Sequence, residues 1–238
     1  QIVNPQLILM KSLELHFIQP IHINTEGTDR DLTSDDISTP GTAPAGSKVP
    51  MFKQGSYAQT PFGICGTIAT SGCGPTSAAM VIKYWQNQGK VPVINVDPKI
   101  MGDLIAQKGY RGCLPACTSI PEGYKTECGG MVHKALSDPA ILSQFGLIGS
   151  PVGKTEAIIT TYLKSGNPII VSVEKSIFTD YGHFIVLADV DAMGNIIVND
   201  PNKNSYKLKD GTEIKNGHVP PNEIFPYIGG AFWIHPKE

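Results

Sequence analysis

Near Asn167 the apolar pattern of this chain changes period, and no other feature restricts the fold as much. Before that point apolar residues recur at helical spacing, as in Ala78, Ala79, Ile82 and Trp85. After it they fall into short blocks: "PIIVSV" (168–173), "HFIVLADV" (183–190), "NIIVND" (195–200), and shorter segments around "YKLK" and "AFWI". Steps of three and four residues make one face of a helix, whereas short apolar blocks bounded by turn residues make strands. Helices followed by an antiparallel sheet predict an α+β domain. The spacing predicts a helix over 75–85, with Pro75 in its first turn and Gly89 closing it, and further helices over 97–108 and 154–165, the last ended by "SGNP".

A chain of 238 residues with an apolar share of 41% can bury a sizeable core. Residues 1–23 carry interrupted apolar runs compatible with a strand pair or a short helix. Residues 24–48 are rich in Gly, Pro, Ser and Thr and nearly free of large apolar side chains, so they read as a linker. The expected organisation is an N-terminal extension and linker over 1–48, a pro-segment or a tether, followed by one domain over 49–238. A formal charge of -2 offers no basic surface to nucleic acid, and the apolar runs are of strand length, so neither nucleic-acid binding nor a membrane-spanning segment is expected. The start at Gln1, with no leader of the export type, suggests a processed or trimmed chain.

"TIATSGCGPTSAAMVIKYW" (67–85) places Cys73 at the head of the first predicted helix. Unpaired N–H groups and the positive end of the macrodipole favour a thiolate there. Gly72 and Gly74 remove Cβ atoms that would hold a substrate backbone away from the sulfur. The structural alternative is a buried cysteine that starts a core helix, or half of a bridge to Cys65. A nucleophile also needs a base, and a third group to orient that base. Of the six histidines, His183 follows "DYG" at the head of a strand, where its ring can face a cleft. If "DAMG" (191–194) joins two antiparallel strands, Val190 faces Asn195 and Asp200 lies opposite Ile185, diagonal to His183 on the same face. A register shift of one residue would substitute Asn199. For the oxyanion, the Cys73 backbone N–H and a neutral Gln amide are the expected donors, with Gln54 and Gln59 as candidates.

The five cysteines are Cys65, Cys73, Cys113, Cys117 and Cys128. An odd count reads as paired thiols plus one left free, and low charge with many Gly and Pro fits an oxidising, extracellular or cell-surface setting. Two bridges among Cys65, Cys113, Cys117 and Cys128 would leave Cys73 free. Reduced thiols in a cytosolic protein and a four-thiolate zinc site are the alternatives, although the paired two-residue spacings of such a zinc site are absent. No metal or cofactor is expected.

Taken together, "KQGSYAQTPFG", "TIATSGCGPTSAAMV" and "GHFIVLADVDAMGNIIVNDP" resemble the bacterial papain-like cysteine peptidases related to the double-glycine leader peptidases of bacteriocin exporters. The resemblance covers residues 49–235. It implies a papain-like fold in which a helical part carries the nucleophile Cys73 and the sheet carries the base His183 and its orienting Asp200, with Gln54 favoured for the oxyanion hole. The expected activity is hydrolysis of a peptide or amide bond in a peptide or protein substrate through a Cys-His-Asp triad and a thioester acyl-enzyme. Acyl transfer, peptidoglycan amide hydrolysis, and a surface binding module that has lost turnover are the alternatives. The insert over 109–130 and the lack of a following ATP-binding or membrane domain depart from the exporter pattern, so a free-standing enzyme is expected and a double-glycine leader cannot be assumed as substrate.

Overall fold

The computed structural model describes residues 41–64, 66–111, 130–208 and 210–237, all within a unit spanning 32–238. Their order follows the change of period. A short helix α1 (Ile68–Ser71) leads into α2 (Cys73–Asn87), followed by α3 (Pro98–Gln107), α4 (Pro139–Leu142), strand β1 (Leu147–Pro151) and α5 (Glu156–Lys164). Strands β2 (Ile169–Val173), β3 (His183–Val190), β4 (Ile196–Asn199), β5 (Ser205–Lys207), β6 (Glu213–Lys215), β7 (His218–Val219) and β8 (Ile228–Pro236) complete the chain. A six-stranded sheet runs β1-β8-β2-β3-β4-β7 with every pair antiparallel, and β5 and β6 form a separate hairpin. The protein is therefore α+β.

Local chemistry sets the helix ends. Asp97 caps α3 by accepting from the Ile100 N–H at 2.7 Å, with Pro98 in the first turn, and Thr155 caps α5 through the Ile158 N–H. Gly89 and Gly166 follow α2 and α5 at φ +65° and +75°, the left-handed conformation that glycine adopts at least cost. Helix α2 begins at Cys73, two residues before the predicted start, and is buried far more completely than a single apolar stripe requires. Every residue from Cys73 to Ile82 is buried. A helix buried on all sides is an internal element. Its polar groups are anchored to their surroundings: Trp85 Nε1 donates to the Ile234 carbonyl at 2.7 Å, Ser77 Oγ to the Phe184 carbonyl at 3.3 Å and Tyr84 Oη to the Gly166 carbonyl at 2.6 Å.

The sheet separates two cores by strand alternation. Ile170, Phe184, Val186, Ile197, Phe232 and Ile234 face α2, whereas Val171, Ile185, Leu187, Ile196 and Val198 face α5 with Ile159 and Leu163. The sequence does not announce strand β1, because "LIGSP" lacks the apolar density of the other strands; it gains its place by pairing with β8 along the sheet edge. Residues 41–48, part of the expected linker, lie against the domain. Ser47 Oγ donates to Asn199 Oδ1 at 2.9 Å, and a ring nitrogen of His218 bonds the Ala45 carbonyl at 3.1 Å. No helix among the described residues is long and apolar enough to cross a membrane.

Candidate active site

The register between β3 and β4 determines which polar residue reaches His183. At the far end of the hairpin from the turn, Val186 pairs with Asn199 and Leu187 with Val198, the alignment that the short-loop reading requires. Beyond a bulge between Leu187 and Asp189 the pairing shifts by one, so that Val190 faces Ile196 and not Asn195. The cause is a longer turn: the Asp191 N–H bonds the Asn195 carbonyl, and the Asp191 carboxylate accepts from the Met193 and Asn195 N–H groups. The bulge absorbs the additional residue and restores the register before the site. Asp200 consequently lies on the His183 side. Asn199 projects to the other face and donates to the Val49 carbonyl at 2.8 Å.

His183 Nε2 and Asp200 Oδ1 are 2.7 Å apart, and both side chains are buried. Cys73 lies close enough to the ring for each group to shift the other's ionisation, and the Nε2 bond to Asp200 leaves Nδ1 as the nitrogen open to the sulfur. Burial alone would push the Cys73 thiol up; the hydrogen bond and charge of His183, with backbone bonds from Phe184 and Gly74, outweigh it and hold the thiol below its ordinary value. For His183, burial disfavours the cation, but the Asp200 charge and bond together with Cys73 raise its pKa to about 10. Asp200 is held below the usual carboxylate range because His183, Lys53 and the Asn202 N–H overcome its burial. These shifts share one direction: they favour a thiolate, an imidazolium and a carboxylate side by side.

Cys73 is the cysteine among the described residues, and it is free. The four expected bridge partners, Cys65, Cys113, Cys117 and Cys128, lie outside them. Among the described residues no cluster of His, Cys, Asp or Glu could hold a metal ion. Gln54 is buried and donates from Nε2 to the Ala69 carbonyl at 2.6 Å, an acceptor on α1 four residues before Cys73, while its Oε1 has no hydrogen-bond partner. Its main-chain N–H bonds the Pro201 carbonyl beside Asp200 at 2.9 Å. Gln54 thus bridges the approaches to both Cys73 and Asp200. Gln59 is exposed.

The flanking glycines have a different role from the one expected. A Cβ on Gly72 would lie 2.5 Å from the Ile68 carbonyl oxygen, and one on Gly74 would lie 2.7 Å from Met131 Cε. The missing side chains let α1 and Met131 pack closely, and neither residue is among those with positive φ. Open approach to the sulfur is therefore not what these glycines provide.

Sequence reasoning missed three neighbours. Arg111 is buried over the Phe62 ring, 4.1 Å from its centroid, and donates to Ser71 Oγ at 2.6 Å and to the Phe62 and Gly130 carbonyls. Burial lowers its pKa to about 10, and Cys73 lies near enough for its charge to oppose that fall. Lys53 Nζ donates to the Asp200 backbone carbonyl at 2.9 Å. Tyr206 Oη donates to Asp200 Oδ2 at 3.2 Å. A lone apolar residue in the short strand "SYK" was the available signal for Tyr206, and the apolar contact it implied concealed a polar one.

A mixed helix and antiparallel-sheet fold, with a thiol at the start of its central helix and an imidazole–carboxylate pair against it, has the general make-up of a cysteine peptidase. The chain belongs to the Peptidase_C39 like family, whose model matches residues 47–216. No curated protein matches it significantly. Membership of this family indicates cysteine-peptidase-type activity on peptide substrates.

Proposed function

We propose that the chain has a papain-like arrangement and hydrolyses a peptide or amide bond, with Cys73 as nucleophile, His183 as general base and acid, and Asp200 as the group that orients the imidazole. The observation that carries this reading is the buried His183 Nε2–Asp200 Oδ1 pair at 2.7 Å, whose imidazole lies close enough to Cys73 to lower the pKa of its thiol. Transfer of the thiol proton to His183 leaves a thiolate at the first residue of α2, where the helix N-terminus and the Arg111 charge favour it. The sulfur attacks the scissile carbonyl carbon. The carbonyl oxygen takes the negative charge and is received by the Cys73 N–H, a helix-start donor without an intrahelical partner, and by the second Nε2–H of Gln54, the other being given to the Ala69 carbonyl. His183 then gives its proton to the amine as the C–N bond breaks, leaving the thioester. Water attacks the thioester carbon with His183 accepting a proton, and the C–S bond breaks to release the carboxylic acid and return the Cys73 thiolate beside the imidazolium. Asp200 keeps the Nε2–H tautomer and balances the imidazolium charge.

The test is cleavage of a peptide library followed by mass spectrometry, comparing the wild-type chain with Cys73→Ala. The expected result is site-selective cleavage that disappears in the variant while its circular dichroism and unfolding midpoint stay in place. Equal cleavage by the folded variant would rule out Cys73 as the nucleophile.

A further inference from the structure

We infer that Tyr206 is a positioning residue for the His183–Asp200 pair, its hydroxyl fixing the carboxylate in the orientation that the imidazole needs. The inference rests on the cysteine-peptidase reading and deepens it. Asp200 is completely buried, so both of its oxygens must find donors inside the protein. Oδ1 is served twice, by His183 Nε2 at 2.7 Å and by the Asn202 N–H at 2.7 Å. Oδ2 receives the Tyr206 hydroxyl. The terminal torsion of an aspartate is soft, so a carboxylate anchored through one oxygen can still swing. A donor on the second oxygen stops that motion.

The phenol is itself held firmly. Tyr206 is the inward residue of β5, between exposed Ser205 and Lys207, and its ring meets Phe178 edge-on with centroids 4.8 Å apart. The same residue lines a groove of about 750 Å³ together with Ser176, Thr179, Lys203 and Glu213. The ionisable groups around Asp200 are His183 from β3, Cys73 beyond it on α2, Lys53 from the segment before Gln54, and Tyr206 from β5. Burial and the Asp200 charge push ionisation of the phenol well above its ordinary value, so it remains a neutral donor wherever the thiolate works.

Tyr206→Phe keeps the ring and its contact with Phe178 and removes only the hydroxyl. With Oδ2 left without its donor, the ionised carboxylate becomes costlier and Asp200 takes up a proton at higher pH. The imidazolium then loses its counter-charge and the thiolate is protonated earlier. The measurement is the pH profile of Cys73 alkylation by iodoacetamide, located by peptide mass mapping, in wild type, Tyr206→Phe, Asp200→Asn and the double variant. In Tyr206→Phe the acid limb is expected to move up by about one pH unit, the size of one hydrogen bond to a charged group. In the Asp200→Asn background, with no carboxylate left to steer, the same substitution is expected to add no further shift. A Tyr206→Phe profile that coincides with wild type, or a shift of the same size without the carboxylate, overturns the role of Tyr206 alone. A wild-type Cys73 that reacts as an ordinary thiol overturns the peptidase reading and this role with it.

Discussion

Replacing Gly72 by Ala would separate a packing role for the residues beside Cys73 from a role in substrate access. The new Cβ would lie 2.5 Å from the Ile68 carbonyl oxygen and 2.7 Å from Ile68 Cα, and both are main-chain atoms of α1 that cannot rotate away. Overpacking of this kind costs about 1–3 kcal/mol, and the loss of glycine's freedom in the unfolded chain returns less than about 1 kcal/mol, so a net destabilisation of about 2 kcal/mol is expected. Gly74→Ala provides the contrast. Its Cβ would meet Met131 Cε at 2.7 Å and Sδ at 3.1 Å, the far end of a flexible side chain, although Met131 Cβ lies at 3.0 Å. Alanine also favours the helix by about 1 kcal/mol over glycine, so the expected loss at position 74 is at most about 1 kcal/mol. Urea unfolding of both variants, compared at constant m-value, reads the difference directly. If Gly72→Ala is as stable as wild type, or more stable than Gly74→Ala, the packing argument fails.

Two further perturbations probe the site and its support. Asp200→Asn keeps the shape of the side chain and removes its charge; opposite charges about 4 Å apart at an effective dielectric of about 20 interact by about 4 kcal/mol, and if the amide oxygen retains about 1 kcal/mol, Cys73 alkylation at mildly acidic pH should fall about a hundredfold. An unchanged alkylation rate in a folded Asp200→Asn protein would remove Asp200 from the site. Trp85→Phe deletes the Nε1 bond to the Ile234 carbonyl and leaves a small void, so chemical unfolding should show a loss of about 2–3 kcal/mol; no loss would mean that this bond does not tie α2 to the sheet.

Much of the candidate site could be proposed from sequence because its parts lie at punctuated positions. Cys73 heads a helix that glycines and a proline announce, and His183 opens a strand whose apolar run is unbroken. The choice of Asp200 over Asn199 depended on register, and its outcome shows how pattern and turn chemistry divide that work. The continuous apolar runs of β3 and β4, buried on both faces, held the pairing near the site, while the Asp191 turn displaced it by one at the other end and a bulge reconciled the two. The rest was hidden for physical reasons. Arg111 reaches the site from beyond α3, where no local spacing relates it to Ser71. Lys53 and Tyr206 look like an ordinary polar and an ordinary apolar residue until the chain brings both to Asp200. Steric demands on Gly72 and Gly74 depend on Ile68 and Met131, and only three-dimensional packing reveals them.

The most direct test of the central claim is the pH at which Cys73 becomes alkylated by iodoacetamide, compared between wild type and His183→Ala with the label located by mass mapping. The expected result is labelling of wild-type Cys73 below the ordinary thiol range, because the proposed imidazolium of His183 would hold the sulfur ionised, and a return to the ordinary range once the ring is gone. Labelling of Cys73 at the same pH in both proteins, or a wild-type Cys73 that stays inert, would contradict it.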